Sequence, residues 1–91
     1  MTERVDAQHI LVKQEFEAQD IIKKLNEGET FEKLAGDFSM CPSGKSGGNL
    51  GMFGRGQMVP EFEKATFELE VGNISAPVKT QFGYHIIKRL S

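Results

Sequence analysis

The sequence has little of several residue types that mark particular classes of protein: it contains one cysteine, one tyrosine and no tryptophan. A single cysteine cannot form an intrachain disulfide, so nothing requires an oxidising compartment. No stretch approaches the roughly 20 apolar residues of a membrane-spanning helix. The first residues, MTERVDAQ, carry both charge signs and lack the apolar core of a signal peptide. We therefore expect a soluble, cytoplasmic protein that does not associate with membranes.

An excess of charge of one sign is also missing, since the formal net charge is -2 and the sequence pI is about 5.6. Proteins that bind nucleic acid usually carry a basic stripe or tail, so we expect no nucleic-acid partner. The 91 residues are 38% hydrophobic and include seven phenylalanines, which is typical of a globular domain. A chain of this length is expected to form a single domain over residues 1–91.

Glycine, in contrast, is concentrated in one segment, because six of the ten glycines lie between Gly44 and Gly56. This segment follows Cys41, the single cysteine. Glycine adopts positive φ angles without steric cost and allows other groups to approach the backbone closely. The segment is therefore predicted to be an irregular loop against which another part of the molecule, or a ligand, packs tightly.

Periodicity predicts a strand and two helices in the first half of the chain. In residues 5–13 the alternate positions Val5, Ala7, His9 and Leu11 would share one face of a strand. Residues 15–27 and 31–38 instead carry apolar residues at helical spacing. Gly28 is placed to end the first helix, and Thr30 to cap the second. The apolar positions predicted to face the core are Ala18, Ile21, Ile22 and Leu25 in the first helix, and Phe31, Leu34, Ala35 and Phe38 in the second.

The second half predicts a short strand at NLGMF, a helix that begins at Pro60 and ends near residues 71–73, and two strands within residues 75–90. In the last strand His85 and Ile87 would share one face. Helices between terminal strands, without regular βαβ alternation, indicate the α+β class. We expect a mostly antiparallel sheet whose centre comes from the two ends of the chain.

Three residues could carry chemistry, and they are far apart in sequence: His9, Cys41 and His85. Each alone is readily explained as a core residue. If the first and last strands are neighbours, the two histidines point from one face of the sheet. The three residues then fit a thiol hydrolase with Cys41 as nucleophile, a His-Cys-His metal site, or an apolar pocket that binds an extended peptide without changing any bond. Spacing alone does not separate these interpretations.

Four segments together resemble the parvulin family of peptidyl-prolyl cis/trans isomerases, and most of all its small single-domain members. They are HILVK at 9–13, FEKLAGDFS at 31–39, CPSGKSGGNLGMFGRGQMVPEFEKATFEL at 41–69 and GNISAPVKTQFGYHIIKRL at 72–90. The resemblance implies a parvulin-like fold, with a four-stranded sheet surrounded by about four helices. It implies isomerisation of X-Pro bonds in unfolded or extended protein segments, by a monomer that uses no cofactor and no metal.

The resemblance also implies roles for individual residues. His9 and His85 match paired histidines that share a hydrogen-bond network, Thr80 matches a residue bonded to one of them, and Cys41 matches a position that holds cysteine or aspartate. The substrate-binding residues implied are Leu50, Met58 and Phe62 around the proline ring, Gln57 in the segment that faces the substrate carbonyl, and Phe82.

The sequence has no cluster of cations after the first strand, and this absence narrows the class of peptide substrates that we expect. In the branch of the family that binds phosphoserine or phosphothreonine, a loop after the first strand carries clustered arginines and lysines. Here Lys13 is alone and is followed by Glu15 and Glu17. We expect no preference for phosphorylated peptides. The alternative from another class is a noncatalytic peptide-binding or holdase module that uses the same pocket.

Overall fold

The computed structural model describes residues 4–91, which form three α-helices, one 3₁₀ helix and a four-stranded antiparallel sheet. The strands are β1 (Arg4–Val12), β2 (Asn49–Gly54), β3 (Val78–Thr80) and β4 (Gly83–Arg89). The helices are α1 (Glu15–Asn26), α2 (Phe31–Phe38) and α3 (Pro60–Glu68), and the 3₁₀ helix covers Pro42–Ser46. The predicted α+β class is confirmed. Residues 1–3, which the single-domain prediction includes, lie outside the described residues.

The strand order is β2-β1-β4-β3, so the first and last strands of the chain lie at the centre of the sheet. Their antiparallel pairing runs from Ala7 opposite Arg89 to Val12 opposite Tyr84. This arrangement confirms the prediction that the two ends of the chain supply the centre. In β2, Leu50 is an extra residue between those that pair with β1, which makes it a β-bulge.

The two faces of the sheet carry separate apolar clusters. On one face α1 and α2 cover Ile10, Val12 and Ile86. On the other face Val5, Ala7, Phe53 and Ile87 pack against Phe62 of α3. Because successive strand residues point to opposite faces, the alternation predicted for β1 and β4 is confirmed. The histidine-bearing positions belong to the face covered by α3.

The helix ends agree with the sequence signals in two places and differ in two. Gly28 follows α1 with a φ of 105°, and the Thr30 hydroxyl accepts a hydrogen bond from the Lys33 amide at 3.2 Å. The prediction that Phe38 faces the core is wrong, because it is the last residue of α2 and is 46% exposed. Helix α3 ends at Glu68, before residues 71–73, since Leu69 is extended and its carbonyl accepts a hydrogen bond from the Arg89 guanidinium at 2.7 Å.

No helix within residues 4–91 is long and apolar enough to cross a membrane.

Candidate active site

A pocket of about 420 Å³ opens on the face of the sheet that α3 covers. Its volume is within the range of ordinary small-ligand sites. The histidines are the only ionisable side chains besides Cys41 that line it within residues 4–91, and no lysine, arginine, aspartate or glutamate of this range contributes to its wall. The lining residues are His9, Leu11, Cys41, Leu50, Gln57, Met58, Val59, Phe62, Phe82 and His85.

A pair of buried histidines forms the base of the pocket. His9 lies on β1 and His85 on β4, and each is 5% exposed. Their Nδ1 atoms are 3.1 Å apart, and the rings are nearly parallel, with 17° between their planes. Two ring nitrogens at this distance form a hydrogen bond in which one nitrogen carries a hydrogen and the other accepts it. The central strand pairing thus brings together two residues that are 76 positions apart.

The hydrogen-bond network continues from both ends of the pair. His9 Nε2 is 3.2 Å from the Ser43 hydroxyl, and His85 Nε2 is 2.8 Å from the Thr80 hydroxyl. The Thr80 oxygen also accepts a hydrogen bond from the Phe82 amide at 3.2 Å. Two neutral imidazoles can make all of these hydrogen bonds, whichever of the two Nδ1 atoms carries the hydrogen, because the hydroxyl groups can either donate or accept. Protonation of both rings would instead place two N–H groups against each other.

Burial makes the neutral form of the pair the stable one. Burial lowers the pKa of His9 to about 4, and the adjacent His85 charge adds to this effect. Burial also lowers the pKa of His85 below its usual value. The Phe62 ring meets both imidazoles edge-on, with centroids 5.5 Å from His9 and 5.1 Å from His85. Because desolvation penalises the charged form of histidine, both rings are uncharged at neutral pH.

The glycine-rich loop, residues 39–48 between α2 and β2, is held against β1 by backbone hydrogen bonds. The His9 amide donates to the Gly48 carbonyl at 2.9 Å, and the Met40 amide donates to the Leu11 carbonyl at 2.7 Å. Gly48 has a φ of 82°, and a Cβ at this position would collide with the His9 carbonyl oxygen. Close contact with the backbone of β1 therefore explains why glycine is needed here. The same loop places Cys41 on the pocket wall.

The apolar wall comes from β2 and from the start of α3. Leu50 is the bulged residue of β2, and Met58 lies just before α3. Phe62 is 3% exposed, so it is held firmly in the core. The Gln57 side-chain oxygen accepts a hydrogen bond from the Gly54 amide at 2.6 Å, which closes the turn between β2 and α3. Phe82 lies at the rim and is 58% exposed.

The structure brings together the site residues expected from the sequence, with one difference in position. Thr80 does not line the pocket but lies behind His85, whose ring it holds. The others line the pocket itself: His9, Cys41, His85, Leu50, Met58, Phe62, Gln57 and Phe82.

Sequence reasoning missed three residues of the site. Leu11 and Val59 line the pocket, and Ser43 bonds to His9. Leu11 was detectable, because it shares a strand face with His9. Val59 gave only the weak signal of an apolar residue just before Pro60. Ser43 gave none, since only the 3₁₀ helix brings it to the histidine.

The geometry argues against two of the interpretations that the sequence left open. A thiol hydrolase needs a base hydrogen-bonded to its nucleophile, but both nitrogens of His9 and of His85 already contact other partners than Cys41. A metal site needs several ligands directed at one point, and within residues 4–91 no group of three or more His, Cys, Asp or Glu is placed to hold a metal ion. What remains is an apolar pocket above a neutral, hydrogen-bonded floor.

A family model described as Rotamase, PPIC-type PPIase domain, matches residues 6–91. The chain belongs to this family. It is therefore a peptidyl-prolyl cis/trans isomerase domain of the rotamase type, which confirms the family inferred from the four sequence segments. The histidine pair, the apolar wall and the glycine-rich loop all lie within the matched residues.

Individual relatives of the rotamase domain agree with this assignment. The Foldase protein PrsA of Geobacillus kaustophilus is 54% identical over 86 residues, which cover 93% of this chain and 31% of the relative. The chain thus spans about a third of the length of the curated relatives it matches. The crystal structure of PrsA from Bacillus anthracis superposes with a TM-score of 0.96 at 47% identity, covering 99% of this chain and 42% of that one.

A small parvulin matches over nearly its full length. The solution structure of NmPin, the parvulin of Nitrosopumilus maritimus, has a TM-score of 0.89 and is 48% identical, covering 100% of this chain and 99% of NmPin. The predicted parvulin-like fold is therefore confirmed. The three α-helices and the 3₁₀ helix of residues 4–91 account for the helices that surround the sheet.

Proposed function

We propose that this parvulin domain accelerates rotation about X-Pro bonds in unfolded or extended protein segments and so assists protein folding. The observation that carries the proposal is the apolar pocket above the neutral His9–His85 pair. Its substrates would be proline-containing peptides and unfolded proteins. Leu50, Met58 and Phe62 would surround the proline ring.

Rotation of an X-Pro bond is slow because it breaks amide resonance, with a barrier of about 18–20 kcal/mol. The twisted amide has lost the charge separation of the planar amide. An apolar wall therefore favours the twisted state relative to the planar ground state, and this difference in binding is catalysis. Each tenfold acceleration needs about 1.4 kcal/mol. Isomerisation makes and cleaves no bond. The pocket therefore needs only to hold the proline ring while the carbonyl side of the amide rotates.

The histidine pair acts in this proposal as a rigid floor. All four ring nitrogens are engaged, so His9 and His85 keep their protons within the network and hold the pocket open beneath the amide. Cys41 supplies polar character near the carbonyl carbon and disfavours its planar amide form. Thr80 and Ser43 orient the two rings from either end.

The substrate is proposed to be unphosphorylated, with an apolar or broadly tolerated residue before the proline. No cation of residues 4–91 lines the pocket. Helix α1 begins at Glu15, three residues after β1 ends at Val12, which leaves no long basic loop between them. A phosphate dianion would meet Glu15 and Glu17 with Lys13 as the cation between strand and helix.

We extend the proposal to the setting in which the domain acts. The domain would act as a monomer in the cytoplasm and bind neither nucleic acid nor membranes. The resemblance to small parvulins supports the monomer, the single cysteine supports a reducing compartment, and the near-neutral net charge supports the absence of a nucleic-acid partner. Gel filtration with light scattering tests the monomer, and fractionation of cells tests the compartment. A stable dimer, or an exported protein, would contradict these parts without affecting the proposed activity.

The activity itself is tested by exchange NMR on a Leu-Pro peptide, with and without catalytic amounts of the protein and without a coupled protease. We expect cis/trans exchange cross-peaks that grow with enzyme, and no greater growth for the pSer-Pro counterpart. Met58→Ala should slow exchange by about tenfold, the effect of losing roughly 1.4 kcal/mol of pocket contacts. Met52→Ala is the matched control, because Met52 is 51% exposed and lies outside the pocket.

Two results would overturn parts of the proposal. Binding shifts in the pocket without accelerated exchange would indicate a noncatalytic peptide-binding or holdase module. Faster turnover of the pSer-Pro peptide than of the Leu-Pro peptide would overturn the proposed substrate but leave the isomerase in place.

A further inference from the structure

A second groove, of about 460 Å³, lies on the opposite face of the sheet, between the start of α1 and the end of α2. Val12 and Ile21, both buried, form its floor. Phe16 of α1 and Phe38 of α2 form its apolar walls. Because the residues of β1 alternate between faces, Val12 points away from the catalytic pocket that Leu11 lines. Among residues 4–91, the groove and the catalytic pocket share no lining residue.

The two aromatic walls of the groove are exposed to solvent. Phe16 is 73% exposed and Phe38 is 46% exposed. A side chain that served only to fill the core would be buried like Ile21, which is 1% exposed. Exposed aromatic side chains above a buried apolar floor are typical of surfaces that bind another chain.

The charge of the groove indicates which kind of chain it fits. Its charged lining residues within residues 4–91 are Glu17 and Asp20, and both are acidic. One Glu17 oxygen accepts a hydrogen bond from the Gln14 backbone amide at 3.0 Å, and among residues 4–91 the second oxygen has no such donor and can pair with a ligand. Asp20 contacts Lys24 at 3.5 Å, but this pair is an exposed i,i+4 contact of the kind that contributes little. An acidic rim around an apolar floor is complementary to a basic segment with an apolar side chain.

We propose that this groove, which we call the α1–α2 groove, binds a basic peptide segment of a partner protein that carries one large apolar side chain. The apolar side chain sits between Phe16 and Phe38, and flanking lysines or arginines pair with Glu17 and Asp20. Since the groove faces away from His9 and His85, a segment bound here leaves the catalytic pocket free. The proposal stands whether or not the domain isomerises proline bonds.

The probe is a proline-free peptide of the sequence acetyl-Lys-Arg-Lys-Phe-Lys-Arg-Lys-amide, titrated into ¹⁵N-labelled protein while amide shifts are followed. A second peptide with glutamate at every basic position serves as the charge control. We expect saturable shifts at the amides around Val12, Phe16 and Phe38 for the basic peptide only. We also expect weaker binding as salt rises from about 0.05 to 0.5 M, because screening acts on exposed charges.

Two variants locate the site without disturbing the core. Phe16→Ser removes an exposed wall and should weaken binding by about tenfold or more, the usual effect of losing an aromatic anchor. Asp20→Lys should weaken binding by roughly fivefold, since it replaces a weak surface attraction by a repulsion. The matched controls are Met52→Ser and Glu68→Lys, which change an exposed apolar residue and an exposed acid away from the groove. Neither control should alter binding.

Three results of the peptide titrations would overturn the proposal. They are equal binding of the basic and acidic peptides, shifts that centre on His9 and Phe82 instead of on the α1–α2 groove, and no saturable binding at millimolar peptide. Unchanged affinity of folded Phe16→Ser would overturn it as well. Because the peptide contains no proline, its failure to bind would leave the isomerase activity untouched, and absent isomerase activity would leave this test unaffected.

Discussion

At the scale of single residues, the most informative feature is that the buried imidazoles of the candidate active site have hydrogen-bond partners at every ring nitrogen. The contacts from Ser43 through His9 and His85 to Thr80 occupy all four imidazole nitrogens. Unpaired polar groups in such a buried position would be costly, whereas a complete network is rigid. The histidines therefore position the pocket, and they do not need to exchange protons with the substrate.

Replacement of Cys41 separates an electrostatic from a nucleophilic role. Every ring nitrogen of His9 and His85 already contacts another group, so neither histidine is placed to take the proton of the Cys41 thiol. The resemblance to parvulins implies that aspartate is accepted at this position. We expect Cys41→Asp to keep measurable isomerase activity, and Cys41→Ala to lose about tenfold or more, both measured by exchange NMR. A folded but inactive Asp variant would contradict this and restore the nucleophile.

The histidine pair also predicts how stability depends on pH. Burial lowers the pKa of His9 to about 4 and lowers that of His85, whereas both are near 6.5 in the unfolded chain. The free energy of unfolding is therefore highest above about pH 6.5. It decreases as the pH falls below this value, because the histidines of the unfolded chain bind protons before the buried ones do. His9 alone should reduce the free energy of unfolding by about 2 kcal/mol at pH 5.

Urea unfolding at pH 7.5 and pH 5.0 measures this dependence. His9→Asn removes one titrating group, so the difference between the two pH values should be smaller in the variant than in the wild type. An identical difference would contradict the prediction, because it would show that His9 does not contribute to the pH dependence of stability.

At the scale of elements, the glycine-rich loop depends on β1 for its shape. Backbone hydrogen bonds join the loop to β1 at Leu11 and at His9. The position of the loop is therefore set by β1, the strand that carries His9 and Leu11. Any residue that pushes the loop away from β1 also moves Cys41 and Ser43 from the site.

Two glycine substitutions test this dependence as a matched pair. Gly48 and Gly51 have φ angles of 82° and 74°, so alanine at either costs about 1–2 kcal/mol of backbone strain. A Cβ at Gly51 would meet no atom of residues 4–91 within 4 Å, while one at Gly48 would collide with the His9 carbonyl oxygen. We expect Gly48→Ala to lower the melting temperature more than Gly51→Ala and to lose most activity, as measured by calorimetry and exchange NMR. Equal losses would show that backbone strain alone matters.

The sequence predicted the elements well where a pattern extended over a whole strand or helix. The alternation in β1 and β4 and the stripes of α1 and α2 located the core. Local patterns failed at element ends: Phe38 fits its helical stripe but is exposed at the end of α2, and α3 stops where Arg89 binds the Leu69 carbonyl. Contacts of this kind join residues distant in sequence, and no local pattern contains them.

The residues of the candidate site were likewise predictable only where a periodic pattern contained them. The histidines could be placed on one face from strand alternation, provided that β1 and β4 were neighbours. Their roles, together with those of Gln57 and Phe82, came from the resemblance to parvulins. Ser43 was missed, because a serine among glycines has no periodicity, and its contact with His9 exists only once the 3₁₀ helix has formed.

At the scale of the whole molecule, the central pair of strands joins the beginning of the chain to its end. β1 has a neighbour on each side, β2 and β4, and β4 lies between β1 and β3. The core clusters on both faces include residues of β1 and of β4. The sheet is therefore complete only when the last strand has been added.

Hydrogen exchange should report this order of stability. We expect amides of Ile10 and Ile86 in the central strands to exchange through global unfolding, and therefore most slowly. Amides of the edge strands β2 and β3 should exchange sooner through local opening. The measurement is native-state exchange followed by NMR at several urea concentrations. Faster exchange in β4 than in β2 would contradict the expectation.

The pairing of β1 with β4 has a further consequence for how such a unit combines with other proteins. The Leu90 amide donates to the Asp6 carbonyl at 2.7 Å, so the two ends of the described chain leave the sheet side by side. A unit with adjacent ends can be spliced into a surface loop of a host protein and span only a small gap there. The same adjacency allows the ends to be joined by a short linker and new ends to be opened at an exposed turn, so a circular permutant would keep the histidine pair in place.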